Sequence, residues 1–97
     1  MRIISRRMLR EFGEANSGAK PALDSWFHEA KHADWRTPAD IKEQYGNASI
    51  VGNNRVVFNI AGNKFRLVVR VDYEFGIIFI RFIGTHSDYD DIDAEEI

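Results

Sequence analysis

From Arg55 to Gly84 the chain alternates apolar and polar residues, in runs split by glycine-bearing turns. A period of two marks a half-buried strand. Three strands follow: Val56 to Ile60, Lys64 to Tyr73, and Ile77 to Ile83. Ala61-Gly62-Asn63 and Glu74-Phe75-Gly76 are short connections suited to hairpins, so the three should form an antiparallel meander. In the middle strand Phe65, Leu67, Val69, Val71 and Tyr73 share one face and should meet helices. Lys64, Arg66, Val68, Arg70 and Asp72 share the other. The strand before it pairs Val56, Phe58 and Ile60 with alternating Arg55, Val57 and Asn59.

The first half has helical spacing. Arg2-Ile3-Ile4 reads as a short strand, Ser5 as an N-cap, and Met8, Leu9 and Phe12 as one side of a helix ended by Asn16-Ser17-Gly18. Pro21 opens a second helix whose Leu23, Trp26, Phe27 and Ala30 make a buried stripe. Thr37-Pro38-Ala39-Asp40 starts a third, with Thr37 as cap and Asp40 reaching back. Strand, helices, then three strands give an α+β class in a single domain, residues 1–97.

Composition narrows the possibilities. At 97 residues, folding buries roughly two thirds of the unfolded chain's surface, enough for one modest core. There is no cysteine, hence no disulfide and no thiolate chemistry. No apolar run has membrane-spanning or signal-peptide length, so a soluble cytoplasmic protein is expected. The net charge of −2 conceals an asymmetry: residues 88–97 hold six acids and no base, while all thirteen Lys and Arg lie before them. A pI near 5.9 does not suit a DNA-coating protein but leaves room for a local basic groove.

Two places suggest chemistry. Arg81 is the one charge in Ile77 to Gly84. Either it pairs with Asp72 or a tail carboxylate, or it shares a polar surface with Arg66 and Arg70 and binds an anion, for which the planar guanidinium fork is suited. The second place is GTHSDYDDID, residues 84–93. His86 and Asp90 are four apart, but no second histidine is near and the aspartates lack calcium-loop spacing, so no metal is expected. Thr85 or Ser87 can cap a terminal helix, and the Ser87 to Asp90 spacing resembles a capping box. Asp88, Asp90 and Asp91 then favour the first turn electrostatically. His86 and Tyr89 are left over. A proton carrier and a phenol beside arginines suit phosphodiester cleavage with the substrate's 2′-hydroxyl as nucleophile.

VVFNIAGNKFRLVVRVDY followed by IIFIRFIGTHSDYDDID resembles the HigB-type toxins of bacterial toxin–antitoxin pairs. The resemblance implies a RelE-like fold, with amino-terminal helices on one face of an antiparallel sheet and a short carboxy-terminal helix. It implies an endoribonuclease that cleaves mRNA on the ribosome and inhibits translation, with no metal or cofactor. It also implies a HigA-type helix-turn-helix antitoxin. The motif positions are Asn59, Asn63, Lys64, Arg66, Arg81, His86, Tyr89 and Asp90. Arg66 and Arg81 would hold the scissile phosphate, His86 would move a proton, and Tyr89 would stack on a base or assist proton transfer. Arg55, Asn59, Asn63, Lys64 and Arg70 would bind the RNA strand. The acidic end departs from the basic tails of some relatives. The same basic face also suits a non-catalytic RNA- or protein-binding module.

Other features read as structural. His28 and His32 lie four apart on a solvated helix face, Trp35 is a packing anchor, and Arg2, Arg6, Arg7 and Arg10 form a solvated cationic side.

Overall fold

The computed structural model describes residues 1–97. The elements run β1 (Arg2–Ile4), α1 (Arg6–Ala15), α2 (Lys20–His32), α3 (Pro38–Gln44), β2 (Ser49–Ile50), β3 (Arg55–Ile60), β4 (Phe65–Asp72), β5 (Ile77–Thr85) and α4 (His86–Asp90). The meander expected from the alternation is β3-β4-β5. It is the middle of a five-stranded sheet ordered β1-β5-β4-β3-β2. β1 joins the β5 edge in parallel, with Ile3 opposite Ile78, and the short β2, which the alternation does not show, closes the β3 edge.

Helix starts follow local chemistry. The Thr37 hydroxyl accepts from Asp40 N at 3.3 Å, and the Asp40 carboxylate accepts from Thr37 N at 3.1 Å, a reciprocal capping box. These backbone donors, led by Arg36 N, hold the Asp40 carboxyl below its usual range. Ser5 departs from expectation. It sits at the start of α1 in the left-handed region, with φ 74°, and its side chain makes no capping bond.

The core lies between the helices and one sheet face. Leu9, Leu23, Trp26, Ala30, Trp35 and Ile41 meet Val56, Phe58, Ile60, Leu67, Val69, Val71, Ile78 and Ile80. Phe58 is its centre: Trp26, Tyr45 and Trp35 lie with ring centroids 5.3, 5.2 and 6.0 Å away. Such contacts add to area burial because offset and edge-on rings place opposite partial charges together. Trp35 is therefore the packing anchor that the sequence suggests; it is buried and donates to Gln44 Oε1 at 3.1 Å.

The strand reading of β5 misses one feature. Val68 pairs with Phe82 but Val69 pairs with Ile80, so Arg81 is an extra residue bulged from the β4–β5 ladder. Strict alternation sends Phe79, Arg81 and Ile83 to one face. The bulge changes the phase, placing Ile83 against the helix-side core and Phe82 and Gly84 on the opposite, open face.

That open face is partly roofed. After α4 the chain runs back to the start of β3. Gly52 N donates to Glu95 Oε1 at 3.2 Å, Asn53 Nδ2 donates to the Glu95 carbonyl at 3.2 Å, and Arg55 Nε donates to the Ile97 carbonyl at 2.9 Å. Val57 and Val68 face each other on this side and are buried, although they lie outside the helix-side core. The acidic tail is therefore tied to the start of β3, and no hydrogen bond ties it to β5.

Candidate active site

At the end of the sheet where β4 begins, Arg66 faces the open side. Its neighbours in the ladders are Asn59 on β3 and Gly84 on β5. Arg66 Nη1 donates to the Asn63 carbonyl at 3.1 Å, which ties the guanidinium to the β3–β4 turn. Arg66 Nη2 lies 2.8 Å from His86 Nδ1. A guanidinium has donors only, so Nδ1 accepts and the ring proton resides on Nε2. Nε2 points toward Asp90 Oδ1, 3.8 Å away.

Position 86 is fixed from two sides. His86 N donates to the Lys64 carbonyl at 3.3 Å, which docks the start of α4 on the turn before β4. The Thr85 hydroxyl accepts from Asp88 N at 3.1 Å, and Asp88 Oδ2 accepts from Thr85 N at 3.2 Å. The capping box is thus Thr85 with Asp88, not Ser87 with Asp90. It begins one residue before His86 and sets the direction of that side chain. Asp88 is spent on the cap, and Asp90 faces the histidine.

Aromatic side chains flank the pair. Phe82 and Tyr89 have ring centroids 6.5 Å apart at 51°. The Phe82 ring lies across Gly84, where a β-carbon would fall 2.6 Å from its Cζ. Glycine is therefore required for the ring to lie there.

The other residues expected at the site divide. Asn59, Asn63, Lys64, Arg66, His86 and Tyr89 gather at this end of the sheet. Asn59 Nδ2 reaches the Asn47 carbonyl at 3.5 Å, and Lys64 is exposed. Arg81 lies further along, exposed, with its Cζ 5.5 Å from the Phe79 ring centroid; Arg70 Cζ is 5.2 Å from the same ring. Of the two readings of Arg81, pairing with Asp72 fails: Asp72 Oδ1 instead accepts from Phe75 N at 3.0 Å. Arg81 lies on the open face beside Arg70, further along it than the Arg66–His86 pair. Arg55 is not free to guide RNA, because its guanidinium is taken by the Ile97 and Asn53 carbonyls. Phe79, Phe82 and Gly84 do not stand out from sequence. A glycine inside a strand is a signal of close approach and points to the last of these.

His28 and His32 stack edge-on at 4.6 Å on the exposed side of α2, and no third ligating side chain joins them. No helix is long and apolar enough to cross a membrane.

A five-stranded sheet with helices packed on one face and a short carboxy-terminal helix is the RelE-like toxin fold. Residues 19–92 match the model of the HigB toxin family, described as the RelE-like toxic component of a toxin–antitoxin system, and the chain belongs to that family. It is 25% identical over 92 residues to the mRNA interferase HigB of Escherichia coli O6:H1, covering 93% of this chain and 89% of that protein.

Proposed function

We propose that this toxin is an endoribonuclease that cleaves mRNA at the Arg66–His86 pair. The contact between Arg66 Nη2 and His86 Nδ1 carries the reading. It places a permanent cation and a proton carrier side by side on an exposed face. The related E. coli protein is named as an mRNA interferase, which supports the same activity here.

The chemistry follows from what each group can do. An incoming phosphate competes with His86 for the Arg66 guanidinium, because a charged acceptor binds it more strongly than a ring nitrogen. Arg66 moves onto the phosphate, and His86 Nδ1 is left unpartnered. The ring then accepts the 2′-hydroxyl proton as that oxygen attacks phosphorus. The bond to O5′ breaks, and O5′ takes a proton from solvent. The products are a 2′,3′-cyclic phosphate and a 5′-hydroxyl end. Arg66 neutralises the extra negative charge of the five-coordinate transition state. Tyr89 and Phe82 offer a wall on which a neighbouring base can stack.

As one half of a toxin–antitoxin pair, the protein has an antitoxin partner. We assign that partner to the HigA-type helix-turn-helix class and the site of action to ribosome-bound mRNA in the cytoplasm.

Tight induction of the chain alone, followed by mapping of mRNA 5′ ends, tests the reading. New ends inside translated regions are expected, and Arg66→Ala or His86→Ala at equal soluble expression should abolish them. Growth arrest without new ends would mean that the protein acts by binding alone. If both variants cut like the parent, the site lies elsewhere.

A further inference from the structure

Arg70, Phe79 and Arg81 form a group that the cleavage chemistry leaves unused. Arg70 and Phe79 are paired across the β4–β5 ladder, and the β-bulge adds Arg81 on the same side. Both guanidinium groups approach one ring, at 5.2 and 5.5 Å. Neither makes an ion pair, although acids outnumber Lys and Arg in this chain. Two like charges held near each other without a carboxylate repel, and an anion between or above them relieves that repulsion. Contact with the ring face offsets part of their cost and fixes where they point.

Position on the sheet suggests which anion. Arg66 and Arg70 are four residues apart on β4, about 13 Å along the strand. One phosphate cannot reach both, but successive phosphates of one strand can. The acidic tail is anchored on the β3 side of the face, at Gly52, Asn53 and Arg55. The open route from Arg66–His86 therefore runs along β5, past Phe82 to Phe79.

The geometry points to a second phosphate clamp: Arg70 and Arg81, set on Phe79, hold the backbone of single-stranded RNA at a phosphate remote from the scissile one. The clamp rests on the reading of the open face as an RNA surface. It assigns Arg81 to strand binding rather than to bond breaking, and it makes cleavage depend on substrate length.

The test is binding of a fluorescent 2′-O-methyl RNA decamer, which cannot be cut because its nucleophile is blocked. Affinity is measured against salt for the purified chain, for Arg70→Gln/Arg81→Gln, and for Arg70→Lys/Arg81→Lys. Losing one neutralised phosphate lowers the slope of log affinity against log salt by about 0.7 on single strands, so the glutamine pair, which empties one phosphate clamp, should reduce it by about 0.7. The lysine pair should keep the slope, since it keeps the charge. In parallel, cleavage of a dinucleotide should be unaffected by the glutamine pair, while cleavage of an unmodified decamer should fall at least ~10-fold, the cost of one charge-assisted hydrogen bond. An unchanged slope with normal parent binding overturns the clamp and leaves the nuclease standing. A reduced slope in a protein that never cuts supports the clamp and removes the nuclease. No binding of the decamer by the parent overturns the clamp, whatever ends appear in cells.

Discussion

Gly84 faces Arg66 across the β4–β5 ladder, and the Phe82 ring fills the space that a side chain at 84 would take. The relationship joins three parts of the site. It lets the Phe82 ring lie across the strand beside Tyr89, sets that ring opposite Arg66, and precedes Thr85, the last residue of β5 and the cap of α4. Gly84→Ala must therefore push the Phe82 ring aside. Displacing one ring in a packed setting costs about 1–3 kcal/mol. The expected result is a modest drop in melting temperature with a disproportionate loss of mRNA cleavage. Gly84→Ala/Phe82→Leu removes the obstructing ring and should recover stability more than activity. Equal recovery of both would show that Phe82 has no part in substrate binding.

The two capping boxes offer an internal control. Thr37 with Asp40 starts α3 beneath the core, and Thr85 with Asp88 starts α4 at the site. Thr37→Ala and Thr85→Ala each remove one side-chain acceptor, worth about 1 kcal/mol of stability. Thr37→Ala should shift the urea midpoint and leave cleavage intact at temperatures well below melting. Thr85→Ala should reduce cleavage beyond what its stability change explains, because it loosens the turn that aims His86 at Arg66. Comparing turnover with the unfolding midpoint for both variants decides the point.

How much of the fold and site is legible in the sequence varies with physical cause. Alternation reveals β3, β4 and β5, because burial on one face imposes a period of two. Helical stripes reveal α1 and α2 for the same reason at a period of 3.6, and the Thr37-Pro38-Ala39-Asp40 capping start reveals α3. β2 is two residues long and exposed, too short for any period to show. The bulge at Arg81 is invisible because it interrupts the alternation by which faces are assigned. Arg66 and Arg81 consequently look like equivalent members of one cationic face. Only the pairing register separates them. The tail misleads in another way. Six acids at one end suggest a solvated helix surface, yet Glu95 and Ile97 are hydrogen-bonded to β3 and its preceding turn. Composition conveys charge but not where a segment without periodicity will dock.

Tyr89 carries two candidate duties, and two substitutions separate them. It lies three residues after His86 on α4, with its ring near Phe82. If it stacks on a base, Tyr89→Phe should retain cleavage, whereas Tyr89→Ala should lose roughly 1–3 kcal/mol of binding, seen mainly in KM. If its phenol instead passes a proton to the leaving oxygen, Tyr89→Phe should lower kcat nearly as much as Tyr89→Ala. The proposed chemistry takes that proton from solvent, so the first pattern is expected.

Alkaline stability should be governed by Tyr45. Burial is the main cause that raises its phenol well above the usual value, followed by the hydrogen bond it donates to Glu29 Oε2 at 2.8 Å and by that carboxylate's charge. The phenol is thus protonated in the folded state at a pH where the unfolded chain has already lost the proton. The folded state then binds more protons than the unfolded one, so stability falls as pH rises. The contribution is complete below the unfolded value near 10 and disappears progressively as pH climbs toward the folded one. Tyr73, raised by burial alone, adds to the loss in the same direction. Urea midpoints of the parent should therefore decline steeply above about pH 10. Tyr45→Phe lacks both the hydrogen bond and the titrating group. It should be less stable than the parent at pH 8 but lose less on going to higher pH, so the two curves converge. Parallel curves across that range would show that the Glu29–Tyr45 contact does not link the core to pH. Cleavage near neutrality should be the same in both proteins, because Tyr45 sits against Phe58 on the helix side of the sheet, away from Arg66 and His86.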